Sequence, residues 1–191
     1  PVKPGVVPYG AVPWRAIDGI DVVADASGFL CQIDWGRLDD VLGDGKVPAA
    51  LLVQVGDHCH PGKALLRLET AALDDARADR LRAAFTLGPR RTFDAAPRFG
   101  LTAIAEVGVR ALSPGINDPG TAVDVAACLT HILGEQSRRV PEEPTRPWLH
   151  ARALSLEELL QISLEPLVRD GAAMLEVQLA LQEAYVALAA M

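Results

Sequence analysis

The residues with the most chemistry to offer fall in one short run, Arg110-Ala-Leu-Ser-Pro-Gly-Ile-Asn-Asp-Pro-Gly-Thr-Ala122. Ser113, Asn117, Asp118 and Thr121 bring hydroxyl, amide and carboxylate groups together between Pro114 and Pro119. Glu106 and Arg110 come just before them and Asp124 just after. A helix that starts at Pro119 points free N–H groups at this turn, so the set can hold a small polar ligand. The same residues also have plainer duties: Asp118 suits an N-cap ahead of a proline at the first helical position, Asn117 a turn and Ser113 a helix end. Ligand site and fold-specifying turn both stay open. A hydrolase-like reading, with Asp118 or Asp124 working beside Arg110 and Ser113, lacks a nucleophile–base pair. His131 lies about 15 Å up the second helix at about 1.5 Å per residue.

The other candidate groups are sparser. Arg90 and Arg91 form a weak anion-binding candidate, although two loop arginines more often pair with carboxylates. His58-Cys59-His60 would put both imidazoles on one face of a strand with the thiol on the other. Two ligands fall short of the three or four that zinc takes, and His131 and His150 are isolated in sequence, so no metal site is expected.

These groups are positioned by contrasting elements. Phe99 to Leu112 reads as a helix apolar nearly all round, carrying only Glu106 and Arg110 as charges, at i and i+4. Such a helix is expected to be buried, and the ion pair with it at least in part. Gly108 allows close approach of a neighbour. Pro114 ends the helix and Gly115 supplies a left-handed turn. The second helix buries Val123, Val125, Cys128, Leu129, Ile132 and Leu133. Before this pair, Ile20–Ala24, Gly28–Ile33 and Ala50–Val55 read as strands. Trp35–Leu42 reads as a helix capped by Asp34, and Ala71–Phe85 as a charged helix. Gly56-Asp57 and Pro61-Gly62 read as two turns around a short strand. Later, Trp148–Leu154 reads as extended and Ser155-Leu-Glu-Glu158 as a capping box opening a helix kinked by Pro166. Residues 172–190 form a last helix apolar over most of its circumference.

Composition sets the outer limits. A chain of 191 residues can bury a real core, and half of it is hydrophobic with few aromatics, so Ala, Val and Leu must fill that core. A net charge of −7 argues against nucleic acid as a partner. Three scattered cysteines form no disulfide framework and suit a reducing compartment. No run of about 18 apolar residues is present. Four prolines within residues 1–14 read as an extended linker ended by Trp14, and a chain opening on Pro1 reads as a piece of a longer protein.

Two resemblances add to this. The segment Val55-Gly-Asp-His-Cys-His-Pro-Gly-Lys-Ala-Leu-Leu66, with Ser27-Gly28-Phe29-Leu30 as its matching strand, resembles the hairpin of biotinyl/lipoyl-like barrel-sandwich modules. Carriers of that type present a lysine at the tip, usually between methionines. Lys46 and Lys63 lack that setting, so no covalent cofactor is expected. Phe85-x-x-Gly88-x-x-Arg91-Thr92, Asp94, Arg98-Phe-Gly-Leu101 and the Arg110–Ala122 run resemble the bacterial predicted membrane protein family called domain of unknown function 2254. That resemblance implies about four transmembrane helices ahead of this part, an even number that with a cytoplasmic N-terminus places it inside the cell. It also implies an inner-membrane location with the soluble part on the cytoplasmic face, and no established activity.

The reading is therefore an α+β chain: a proline-rich linker at 1–15, a small β barrel-sandwich-like module at 16–70 and an α-helical bundle at 71–191. Its expected role is a ligand-binding or assembly module of a membrane protein. Its partners would be the attached transmembrane helices, further copies of itself and a small-molecule ligand at Glu106, Arg110, Ser113, Asn117, Asp118, Thr121 and Asp124. The alternatives are an enzyme of unassigned type or a purely structural, channel-associated domain.

Overall fold

A computed structural model describes residues 6–8, 18–42, 47–91, 97–138, 146–152 and 154–190. In chain order the elements are β1 (Val6–Pro8), β2 (Ile20–Val23), β3 (Gly28–Ile33), α1 (Trp35–Leu42), β4 (Ala49–Leu51), β5 (His58–Cys59), β6 (Ala64–Leu68), α2 (Asp75–Arg82) and β7 (Phe85–Gly88). They continue as α3 (Pro97–Ala111), α4 (Pro119–Ser137), β8 (Arg146–Ala151), α5 (Leu156–Ser163), α6 (Glu165–Asp170) and α7 (Leu175–Ala189). The chain is α+β and separates into two compact units, residues 1–96 with 142–153, and residues 97–141 with 154–191. Trp14, Lys46, Thr92 and Asp94 lie outside the described residues.

The first unit holds two sheets, ordered β1-β8-β4-β6-β2 and β5-β3-β7. Val22, Leu51, Leu66 and Leu68 from the first sheet and Leu30, Ile33 and Phe85 from the second share one core with Leu38 of α1 and Leu81 of α2. Asp34 accepts from the Arg37 N–H at 3.0 Å and so caps α1 as expected. Gly56 and Gly62 have φ of 96° and 87°, which only glycine adopts without strain, and these turns bracket β5. Strand β5 pairs antiparallel with β3, Gly28 opposite Cys59 and Phe29 opposite His58. On the first sheet, Asp21 stands opposite Arg67 and takes two hydrogen bonds from its guanidinium, at 2.6 and 2.9 Å.

Three sequence-based expectations change here. The segment read purely as a linker contributes β1, an edge strand paired in parallel with β8. Edge position is where a proline-bearing strand is tolerated. The expected charged helix is shorter, running from Asp75 to Arg82 behind an Asp74 cap, and Phe85 lies in β7, paired with β3. A Phe-Thr-Leu stretch has β preference, and the facing edge of β3 decides in its favour. Strand β8 begins at Arg146, ahead of the expected Trp148, and sits between β1 and β4 in the first unit. By packing, the first unit runs to residue 96 and takes in residues 142–153.

The second unit is helical. Leu101 and Ala105 of α3, Val125, Leu129 and Leu133 of α4, Leu164 and Leu167 at α6, and Val177 and Leu181 of α7 form its core. Ser155 and Glu158 make the expected capping box at α5. The prolyl ring at Pro166 cannot continue a helix, so α5 stops at Ser163 and α6 restarts at Glu165. Gly108 is a point of close approach on α3: a Cβ there would stand 2.5 Å from Leu167 Cδ2 and 3.1 Å from Val125 Cγ1. Gly100, on the same helix, would place its Cβ in open space. Gly108→Ala should therefore lose about 1–3 kcal/mol through overpacking. Gly100→Ala should gain about 0.5–1 kcal/mol from helix propensity. Thermal melts of the two variants check the pair, and equal shifts would contradict this packing.

Candidate functional site

The turn between α3 and α4 is built from backbone bonds first. Leu112 N–H donates to Gly108 O at 3.0 Å, Ser113 N–H to Arg110 O at 3.1 Å, and Ile116 and Asn117 N–H both to Ser113 O, at 3.0 and 2.9 Å. Asp118 N–H then reaches back to Ala111 O at 2.8 Å and closes the reversal. The left-handed residue is Asn117, at φ 52°, and not Gly115 as its residue type suggested. Asparagine is among the few side-chain-bearing residues that visit this region, so its presence at 117 has a conformational explanation.

The side chains complete the same structure. Ser113 Oγ donates to Arg110 O at 2.7 Å. Asp118 caps α4: its Oδ1 accepts from Thr121 N–H at 3.1 Å and its Oδ2 from the Thr121 hydroxyl at 2.6 Å. These bonds, the Thr121 hydroxyl first, hold the Asp118 carboxyl below its ordinary value of 3.8. It stays ionised at neutral pH, with both oxygens engaged by Thr121. The structure therefore brings Ser113, Asn117, Asp118 and Thr121 together as an interlocked turn.

It does not add the charged residues to that set. Glu106 and Arg110 were expected to be at least partly buried. They lie on the exposed face of α3, with side chains 60% and 78% accessible and their closest atoms 4.0 Å apart. The reason is that α4, α5 and α6 cover the other sides of α3 and leave this one to solvent. Asp124 is also exposed, about one and a half turns into α4.

The weaker candidates are engaged locally. Arg91 Nε donates to Gly56 O at 3.1 Å and its guanidinium lies 4.9 Å from the centre of the Phe29 ring, while Arg90 is exposed. His58 packs edge-on against Phe29, and Lys63 Nζ donates to His58 O at 2.7 Å. His60 lies just beyond β5 with Nδ1 3.0 Å from Pro61 O. Between them Cys59 is fully buried, and burial pushes its thiol up.

One grouping was missed. Cys128 was placed on the buried stripe of α4, but it is exposed and shares a face with Asp124, His131 and Glu135, all exposed as well. The i, i+4, i+7, i+11 spacing was visible in the sequence. Cysteine is among the most buried residue types, and residue type alone therefore places Cys128 inside.

Two outcomes test the turn. Asn117→Ala should lose about 1–2 kcal/mol, the cost of the left-handed region for an ordinary residue. Asn117→Gly should keep the melting temperature near the parent's, and equal losses in both would contradict the backbone account. Because the folded Asp118 value is lowered, its ionised form contributes stability above pH 3.8 that disappears as the pH falls through the folded value. The melting-temperature gap between the parent and Asp118→Asn should therefore close below that pH. A gap unchanged from neutral to strongly acid solution would contradict it.

With the site in view, comparison with known proteins places the chain. Residues 11–187 match the family model described as "Predicted membrane protein (DUF2254)". Uncharacterised proteins of Mycobacterium bovis and Mycobacterium tuberculosis are each 30% identical to it over 140 residues, covering 70% of this chain and 27% of their own length. The chain thus spans about a quarter of the length of the curated relatives it matches. No solved structure matches. Among the described residues, no helix is long and apolar enough to cross a membrane. The motif around Ser113–Pro119 and the match over residues 11–187 together make this chain a member of the DUF2254 family of predicted membrane proteins, whose function is unknown.

Proposed function

We infer that this part of the membrane protein is an assembly module, and that its helical unit pairs with a second copy through α7. The observation that carries this reading is the exposure of Leu175, Leu179 and Val186, at 70%, 51% and 70%, on one face of that helix. At about 100° per residue the three lie within an arc of about 40°. Val177, Leu181 and Ala184 face the core of the unit, so the outward apolar stripe is additional to what folding uses.

The charges favour a like partner. Helix α7 carries Glu176 and Glu183 and no basic residue, which disfavours an anionic lipid surface. An antiparallel two-fold pairing centred between Ala180 and Leu181 sets Leu175 opposite Val186 of the other copy. It sets Glu176 opposite Tyr185 and Glu183 opposite Gln178, so no two carboxylates meet. Self-complementarity of this kind is what an isologous contact requires.

The rest of the reading follows the family and the free thiols. The first unit, with two sheets and glycine turns around β5, is taken as barrel-sandwich-like without a carrier lysine. Three free cysteines support the cytoplasmic face. A ligand at residues 106–124 ranks second, because Ser113, Asp118 and Thr121 already bond to their own turn.

Light scattering of the purified chain at high micromolar concentration, with chelator and reductant present, is the test. Reversible self-association is expected, and Leu179→Lys with Val186→Lys should abolish it. Each lysine would stand three residues after a glutamate on an exposed face, so stability should change by no more than about 0.5 kcal/mol. A strict monomer, or association untouched by the double substitution, would overturn the reading.

A further inference from the structure

The first unit has an open cleft of about 410 Å³ where the β2–β3 turn, the end of α2 and β7 meet. Small-molecule sites run from about 300 to 1,000 Å³, so the space suits a ligand at the lower end of that range. The lining is apolar apart from three charged residues. Leu65 and Phe85 lie at the bottom and belong to the buried core of the unit. Half-buried Leu87 and exposed Ala26 and Ala83 form the walls. These walls are apolar surface in contact with water, and a ligand that covers them is held by the hydrophobic effect.

Asp25, Asp79 and Arg82 complete the lining. The Arg82 side chain is only 24% accessible and is fixed, Nε donating to Val23 O at 2.8 Å and Nη1 to Asp79 Oδ1. Both carboxylates are 70% accessible, which puts them at the mouth. Asp25 Oδ2 lies 4.0 Å from Arg82 Nε, too far for a hydrogen bond. Among the described residues the Asp25 carboxylate accepts no hydrogen bond at all. Other part-buried ion pairs of this unit are built differently: Asp21 and Asp39 each take two hydrogen bonds from a single guanidinium. At the cleft one arginine, already bonded to one carboxylate, stands beside a second. The mouth therefore carries one negative charge in excess, above apolar walls.

We propose that this cleft binds a small organic cation, an ammonium group carried on an apolar body. The three N–H donors of the head group supply what the Asp25 carboxylate lacks, and Asp79 adds its field at the mouth. The body lies against Leu87, Ala26 and Ala83 with Phe85 beneath. Each half of the cleft rejects a different competitor. A carboxylate on the same body would face two carboxylates, with the only lining cation, among the described residues, already engaged by one of them. A polyamine would satisfy the charge and leave the walls wet. All the lining residues belong to the first unit, so the proposal does not rest on the α7 pairing.

Calorimetric titration of the full chain with 2-phenylethylamine, 3-phenylpropionate and spermidine is the test. The first is an ammonium at neutral pH, the second has the same body with the opposite charge, and the third has charge without an apolar body. One phenylethylammonium per chain is expected, with the other two at least ten-fold weaker. Asp25→Asn keeps the shape and removes the charge, and should weaken binding about ten-fold through loss of a charge-assisted hydrogen bond. Ala26→Phe should fill the cleft from its exposed wall and abolish binding. Both positions are exposed, so the melting temperatures of the two variants should stay near the parent's. Equal binding of 3-phenylpropionate or of spermidine would overturn the proposal. So would binding unchanged by either substitution, or no binding of phenylethylammonium at millimolar concentration.

Discussion

The helical unit depends on one backbone reversal. Helices α3 and α4 bury their apolar sides in one core, and the chain has only residues 112–118 in which to turn between them. Asn117 takes the left-handed conformation, and Asp118 N–H closes back onto Ala111 O. The Asp118 side chain then caps the helix that follows. Ser113, Asn117, Asp118 and Thr121, the polar groups of the turn that looked like chemistry, are thereby tied to conformation. Ser113 satisfies a carbonyl of the outgoing helix end, and Thr121 holds the capping carboxylate in one rotamer. Close packing above the turn follows from Gly108, where any side chain would meet Leu167 and Val125. A turn of fixed geometry is useful only when the helices it joins can approach each other, and Gly108 provides that.

The first unit rests on a pairing between distant parts of the chain. Strand β8 follows α4 in sequence, yet lies between β1 and β4 and is parallel to both. Parallel neighbours cannot be joined by a tight turn, so such a strand must arrive from elsewhere. Leu149 enters the core, and Arg146 anchors the start of the strand to Asp39 of α1 through bonds of 2.8 and 2.6 Å while its guanidinium lies 5.6 Å from the Trp35 ring centre. The Asp39 carboxylate pushes the Arg146 value up, as a bidentate pair on a half-covered surface should. A short strand gains its place through this pair and one fully buried leucine.

Both long helices of the second unit have a face that packing leaves uncovered, and the two faces differ in kind. The outer side of α7 carries the exposed apolar side chains Leu175, Leu179 and Val186. The outer side of α4 is polar and carries a thiol and an imidazole one turn apart. Water is a sufficient neighbour for such a face. The interlocked turn is the scaffold that sets which faces of α3 and α4 meet and which stay in solvent.

What the sequence determined by itself was local. Strand β3, the Asp34 and Asp118 caps, the Ser155–Glu158 box, the glycine turns at 56 and 62 and the stop at Pro166 were all legible. Strand β3 was marked by its own short apolar run, and in the other cases the donor or acceptor satisfied lies within about four residues, or the ring or missing side chain acts on its own backbone. The Arg110–Ala122 run likewise carried the family. The tertiary structure alone decided which faces are covered and which strands meet. Glu106, Arg110 and Cys128 sit on helices that look apolar all round, and only the placement of neighbouring helices shows which side stays in solvent. Phe85 became a strand residue because β3 offered an unpaired edge, and β8 found its sheet across an intervening pair of helices. Asn117, and not Gly115, took the left-handed turn because the Asp118-to-Ala111 closure places the bend there. Burial and register depend on groups far apart in sequence, and residue type and short-range spacing do not specify which distant element arrives.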